Sequence, residues 1–315
     1  MKHIFIINPC AGAADSTQEI TEKLKPFKDS VDYEIYITRH AGDATTFVDS
    51  YCTNHPEEEV RFYACGGDGT INEVASGLVG HPSAQMSCYP SGSGDDYVKY
   101  YCDNFGVTKA DFLNIDRLLN GNAHPVDMMK VESKGGEKEE VRYSINVCNF
   151  GFDAMVAHTM NKVRRKPIIG GKCAYTTGIV KAVFTSRFNQ CRIVVDGKVV
   201  NDRRMLLCTL ANGHYVGGAY KCAPLSKNDD GLIDVNIIKT ISLARFASLL
   251  KSYRQGTHIL KKGIDRFLTH VEGKVVELSH RTPFYVCIDG EMLYGTDYRL
   301  EQMPHAVNFV VPMAL

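Results

Sequence analysis

The sequence has no charge excess: Lys and Arg number 36, as do Asp and Glu, so the formal net charge is zero. A protein that grips a phosphate backbone shows a basic surplus, so no nucleic-acid partner is expected. No Cys-x-x-Cys pair occurs among the 11 cysteines. Their odd number and scattered placement exclude a disulfide framework, weigh against structural zinc, and fit the reduced thiols of a cytoplasmic protein. No apolar stretch approaches the ~20 residues needed to cross a bilayer. The opening "MKHIFIINP" is too short a run for a signal peptide and reads as a strand. A cytoplasmic protein, at most peripheral at a membrane, is expected. Internal repeats and low-complexity linkers are also missing.

What is present is a change of texture along 315 residues, enough for one large or two ordinary domains. The first part alternates strand and helix. Lys2–Ile7 is an apolar run that breaks at Asn8-Pro9-Cys10-Ala11-Gly12, and Ser16 with Glu19 has capping-box spacing before the stripe Ile20, Leu24, Phe27. Val31, Tyr33, Ile35 and Ile37 alternate as a strand; Ala44, Phe47, Val48 and Tyr51 make a helical stripe. Helices between consecutive strands imply parallel pairing and a three-layer α/β domain over residues 1–125. A helix over 109–120 closes it. Residues 126–315 hold mostly short strands, among them a hairpin around Asp196-Gly197, and suggest an antiparallel, sandwich-like second domain. The last strand, 307–311, fits either domain. Helical patterns also occur at 154–163, 173–184 and 243–253. Three basic runs, Arg164-Arg165-Lys166, Arg203-Arg204 and Lys261-Lys262, each read first as solvated surface.

The densest signal is "VRFYACGGDGTINEVASGL" at 60–78, a strand that ends in glycines and restarts as a helix. Thr70 and Glu73 have capping-box spacing, placing the helix start at Thr70. A helix start offers unpaired backbone N–H groups to an anion, and glycines let a phosphate approach closely. The stretch lacks the Lys-Ser/Thr of a Walker loop and the GxGxxG of a dinucleotide site. Asp68 would repel a phosphate unless a cation lies between, which points to Mg²⁺ with a nucleotide. A plain glycine turn is the competing reading. "NPCAG" after the first strand and "PSGSGDD" after the fourth share its character. All three should lie at the carboxyl ends of parallel strands, where open α/β sheets bind ligands.

These residues resemble the diacylglycerol kinase catalytic-domain family, and more narrowly its bacterial lipid kinases, which share a fold with NAD kinases and sphingosine kinases. The likeness continues through "NFGFDA" at 149–154, "NGHYVGGAYKCAP" at 212–224, "DGLID" at 230–234 and "IDGE" at 288–291. The resemblance implies an ATP- and Mg²⁺-dependent kinase of a lipid hydroxyl, diacylglycerol by default, in phospholipid metabolism, with its active site in a cleft between two domains. ATP would lie against Asn8, Pro9, Gly12, Thr38, Gly66, Gly67, Asp68, Gly69, Thr70, Ile71, Asn72, Glu73, Gly92 and Ser93. Glu291 would be the acid/base group with Asp289 beside it. Asp68, Asp96 and Asp127 would form a carboxylate network for catalytic magnesium. A structural magnesium would take the Asp230 side chain and carbonyls near Lys227 and Leu232.

The chemistry stands on its own terms, since phosphoryl transfer needs charge neutralisation, in-line positioning and a base near the acceptor hydroxyl. Asp289 and Glu291 flank a glycine, and an extended stretch would point both side chains the same way. In isolation Asp-Gly-Glu reads as a surface hairpin turn. The family's Pro-x-Gly-Thr-x-Asn-Asp-Phe-Ala-Arg stands here as Pro90-Ser91-Gly92-Ser93-Gly94-Asp95-Asp96-Tyr97-Val98-Lys99. Ser93 keeps a hydroxyl, Lys99 keeps a charge without the bidentate fork, and Asp95 adds a second carboxylate beside Asp96. Two other functions stay open: a kinase of a soluble acceptor, NAD kinase-like, and a non-catalytic nucleotide or lipid sensor. A lipid acceptor drawn from a membrane would favour a basic and apolar rim, for which Arg164-Arg165-Lys166 with Ile168-Ile169 is the candidate. A homodimer is the default assembly. Cys10 and Cys65 adjoin the nucleotide loops and read as inert thiols before redox sensors.

Overall fold

The computed structural model describes residues 1–151 and 189–314. The helical patterns at 154–163 and 173–184 and the basic run Arg164-Arg165-Lys166 lie outside the described residues. The chain divides into two compact units. One comprises Met1–Met128, Asn228–Asp230 and Met303–Leu315; the other comprises Met129–Lys227 and Gly231–Gln302.

The first unit is an alternating α/β domain. It runs β1 Lys2–Ile7, α1 Thr17–Leu24, β2 Tyr33–Ile37, α2 Asp43–Asn54, β3 Val60–Gly66, α3 Asp68–Leu78, β4 Gln85–Pro90, α4 Asp96–Asn104, α5 Lys109–Phe112 and α6 Ile115–Leu119. The four strands pair in parallel in the order β2-β1-β3-β4. Right-handed crossovers then place α1 on one face and α2 and α3 on the other, which gives three layers. The apolar run of β3 is buried at every position because layers cover both its faces. Gly77 brings α3 against α2: a Cβ there would lie 2.7 Å from Val48 Cβ. Strand order reverses between β1 and β3, so the loops that leave them diverge around a crevice, the switch point at which such sheets bind ligands.

From α6 the chain enters β5 Asn122–Lys134, which spans both units. Next come β6 Glu140–Ser144, β7 Val147–Gly151, β8 Asn189–Gln190, β9 Arg192–Val195, β10 Lys198–Asn201, β11 Arg204–Ala211, β12 Tyr215–Val216 and β13 Tyr220–Lys221. They are followed by β14 Ile233–Lys239, the helix Leu243–Arg254 (α7 here), β15 Leu268–Gly273, β16 Val275–Ile288 and β17 Glu291–Val311. The second unit is antiparallel and sandwich-like. β11 pairs β7 and β14, β14 pairs β15, and β16 pairs β7, β9 and β17. The continuous apolar run of β11 buries both faces: Met205 and Leu210 join one cluster with Val235 and Val286, while Leu207 and Ala211 join another with Leu249 and Tyr253 of α7. The end of β17 belongs to the first unit, where Asn308 and Phe309 pair in parallel with Gln85 and Met86. Phe309 is fully buried there, stacked on Tyr101 at 4.5 Å.

Several local expectations are corrected. The Ser16 hydroxyl makes no capping bond; Asp15 accepts from Thr17 N, and Glu19 is taken by Lys23 and the Tyr89 hydroxyl. The single helix over 109–120 is two short ones, each with its own cap, at Thr108 and Asn114. Within the run of short strands, β16 is unbroken from Val275 to Ile288, and its register against β17 shifts between Ser279 and Phe284. At Asp196-Gly197 both φ values are positive (47° and 78°), which joins β9 and β10 by the hairpin turn the pair predicts.

On the β14–β15 ladder, Asp234 stands directly opposite Glu272, an unfavourable like-charge pair. His270 Nε2 lies 2.6 Å from the buried Asp234 carboxylate, and that hydrogen bond raises the imidazole pKa. A raised folded-state pKa stabilises the fold fully below the unfolded value, and the stabilisation is lost as pH rises through the folded value. Urea denaturation of wild type and His270→Asn should therefore show the wild-type advantage largest below about pH 6 and shrinking toward about pH 9. A pH-independent difference would contradict the pairing.

Candidate active site

The three small-residue loops meet at the carboxyl edge of the parallel sheet. Ser91 N and Gly92 N both donate to Gly66 O, at 3.0 and 3.2 Å, and Asn8 N donates to Cys65 O at 3.0 Å. Glycine is required by proximity. A Cβ on Gly92 would lie 2.5 Å from Gly67 Cα, and one on Gly12 would lie 2.1 Å from Ser91 O. Gly12 also has φ of 77°, in the left-handed region. Around Gly69, by contrast, a Cβ would meet nothing within 4 Å, so this turn faces open space.

Helix α3 starts at Asp68, two residues before Thr70, and its N-cap is Gly67, which has no side chain to cap with. Thr70 is not free to cap because it is buried under Gly66, and its hydroxyl accepts from Asn8 Nδ2 at 3.1 Å. The first turn, at the positive end of the helix dipole, therefore has no N-cap side chain. Ile71 is different from its neighbours: its side chain is fully buried, and its N–H is spent on Gly67 O. Asn72 and Glu73 lie half-buried further along the helix, and Ser93 is exposed. Thr38 N donates to Ile7 O at 2.9 Å, beside the first loop, in which Pro9 is half-buried. Cys65 is buried, and burial pushes its thiol far above the usual range, which fits an inert thiol; Cys10 is exposed.

Two of the three carboxylates expected at the metal approach the same glycine. A Cβ on Gly94 would lie 2.8 Å from Asp68 Oδ2 and 3.7 Å from Asp96 Oδ2, so the glycine lets them converge. Asp68 Oδ1 accepts from Tyr97 N at 3.0 Å, and Lys99 Nζ reaches Asp96 at 3.1 Å and Gly94 O at 2.7 Å. Asp68 and Asp96 could hold a cation. Asp95 departs from the family's Asn, and the structure shows what offsets it: an ion pair with Lys109. Its φ of 52° is one that Asn and Asp tolerate. Asp127 is placed by other contacts. It is fully buried, its N–H donates to Asn228 O at 2.7 Å, and its carboxylate accepts from His305 N at 2.8 Å. Asn228 in turn donates to the Tyr101 hydroxyl at 3.0 Å, and Asp230 follows on that segment. Lys227 and Leu232 flank the segment in the second unit, and Leu232 O accepts from Gln302 Nε2 at 3.1 Å.

Asp289 and Glu291 do not share an orientation. Asp289 and Gly290 have φ of 45° and 93° and form the tight turn between β16 and β17, in which Ile288 faces Glu291. An extended stretch is not possible at these angles, so one carboxylate turns in and the other out. The Asp289 carboxylate accepts backbone N–H bonds from Ile145 (2.9 Å), Asn146 (3.4 Å) and Val147 (2.8 Å). These bonds also explain why the strands β6 and β7 are separated at Ile145 and Asn146. Burial pushes the Asp289 pKa up to about 6 against the pull of those donors. Glu291 is exposed and pairs with Arg142 at 2.7 Å, while Arg142 also holds Glu140. Lys109, Arg142 and His305 were missed by sequence reasoning; nothing in their local spacing marks them.

The chain thus carries a parallel α/β unit with small-residue loops at its switch point and an antiparallel, sandwich-like β unit. The family model of the diacylglycerol kinase catalytic domain matches residues 2–131, and that of the YegS C-terminal NAD kinase beta sandwich-like domain matches 146–311. The chain belongs to this family of lipid kinases. A diacylglycerol kinase of Bacillus subtilis is 28% identical over 318 residues, covering 96% of this chain and 95% of that one. A probable lipid kinase, YegS-like, of Yersinia enterocolitica is 26% identical, covering 99% and 98%. The crystal structure of a diacylglycerol kinase from Bacillus anthracis superposes with a TM-score of 0.67 at 19% identity, covering 98% and 96%, and so shares the fold.

Replacing Asp289 by Ala strands three backbone N–H groups and should cost about 2–4 kcal/mol in urea denaturation at neutral pH. Asn keeps one acceptor and should cost less. Because the folded pKa is raised, wild-type stability relative to Asp289→Asn should be greatest below about pH 4 and fall as pH rises through about 6. Equal stability of the Ala variant and wild type would contradict this role.

Proposed function

We propose that the protein is an ATP- and Mg²⁺-dependent kinase that phosphorylates a lipid hydroxyl, with diacylglycerol the first acceptor to test. The observation that carries the reading is the meeting of three glycine-bearing loops at the switch point, with Asp68 and Asp96 converging beside an uncapped helix start. The donor set suits a magnesium nucleotide: backbone N–H groups for phosphate oxygens, and two carboxylates for a hard cation. Ser91 Oγ and Asp95 Oδ1, buried in the same loop without partners among the described residues, leave polar capacity there for a ligand. When bound, magnesium would neutralise phosphate charge during transfer.

In this reading Gly67, Asp68, Gly69 and Thr70 present main-chain donors to the phosphates, with Asn8 and Gly92 fixing their position. Glu291 takes the acceptor proton as its oxygen forms the bond to phosphorus, and Arg142 orients that carboxylate. Asp289 serves as a positioning residue, since its oxygens are engaged by three N–H groups. A lipid acceptor would be met at a membrane surface from the cytoplasmic side. Among the described residues no helix is long and apolar enough to cross a membrane.

The test is transfer of label from γ-labelled ATP with Mg²⁺ to a total lipid extract and to purified diacylglycerol. Wild type should label a lipid band, and Glu291→Gln and Asp68→Asn should lower kcat by at least about 100-fold with unchanged melting temperature. Label in a soluble acceptor alone, or ATP binding without any transfer, would overturn the lipid assignment.

A further inference from the structure

A cavity of about 490 Å³ lies in the second unit where the start of α7 meets the segment that precedes β15. It is lined by Thr240, Ser242, Arg245, Lys262, Arg266 and Phe267, among others. Among the described residues, three cations and no carboxylate line it, and the neighbouring Asp265 is not part of the wall. None of the three cations forms an ion pair with a carboxylate among the described residues. Arg245 is held in place by stacking, its guanidinium 5.0 Å from the Phe267 ring. Ser242 caps α7 by accepting from Arg245 N, which puts the positive end of a 12-residue helix at the cavity wall. The Thr240 hydroxyl is shielded from solvent and has no hydrogen-bond partner among the described residues.

Uncompensated like charges gathered around one hollow repel one another, and an anion in the hollow relieves them. A planar guanidinium fixed on an aromatic ring is pre-set for bidentate contact with a phosphate. We propose that this cavity is a binding site for a phosphate-type anion, whether free phosphate or the phosphate of a lipid headgroup. The run Lys261-Lys262, which the sequence alone offers as solvated surface, thereby gains a role through Lys262. The proposal rests on the second unit only and stands whether or not the nucleotide loops act as proposed.

Titration of the full chain with inorganic phosphate, followed by calorimetry, tests the site. Arg266→Gln and Lys262→Gln remove cations that pack on no ring, so they should fold as wild type does. Each should weaken phosphate binding at this site at least about fivefold, with MgATP affinity unchanged. Sedimentation with phosphatidylcholine vesicles, with and without phosphatidylglycerol, separates the sources. Anionic-vesicle binding that phosphate competes away, and that both variants lose, would assign a lipid headgroup. Phosphate binding without vesicle binding would assign free phosphate. Phosphate affinity that is the same in wild type and both variants would overturn the site.

Discussion

The first unit depends on the contact of three backbones at one sheet edge. With Gly92 against Gly67 and Gly12 against Ser91, no side chain fits between the loops that follow β1, β3 and β4. This closeness orients the start of α3 and leaves its first turn uncapped. It also brings the start of α4 near enough for Tyr97 N to bind Asp68, so that Asp68 and Asp96 converge. A methyl group at either glycine would separate the loops before it disturbed any side chain. The carboxylate pair is therefore a consequence of backbone packing, and the Gly-Gly-Asp-Gly run is explained by distance as much as by conformation.

A second constraint gathers the chain's returns into that unit. Asp127, buried without exposure, joins β5 to the Asn228 segment through its N–H and to His305 through its carboxylate. Phe309 then adds its ring to the Tyr97 and Tyr101 pair. Three stretches distant in sequence thus complete one α/β domain, and the acidic side chain at their junction accepts from the His305 N–H. In the second unit Asp289 does the same work, collecting three N–H groups at the corner before β7. Both acids illustrate how a motif carboxylate can be spent on backbone geometry.

Much of this was legible in the sequence. Apolar periodicity and turn residues located the parallel strands and their helices, because one-sided or two-sided burial writes itself into local spacing. The convergence of three glycine loops followed from parallel topology. What was not legible depends on partners far away in the chain. The capping boxes at Ser16 and Thr70 failed because Glu19 and Thr70 are claimed by Tyr89 and Asn8. Asp-Gly-Glu in isolation reads as a hairpin turn, and the pairing of Ile288 with Glu291 bears that out against the extended stretch that would have aligned the two carboxylates. The Asp95 departure looked unfavourable until Lys109 was found beside it. Long-range pairs of this kind leave no periodic trace.

The central claim is that the loops at the switch point hold the nucleotide. Hydrogen exchange of backbone amides, read by mass spectrometry with and without MgATP, tests it most directly. The account predicts slowed exchange in peptides covering residues 8–12, 66–72 and 91–96. Slowing absent from those three segments, under conditions where ATP is bound, would contradict it.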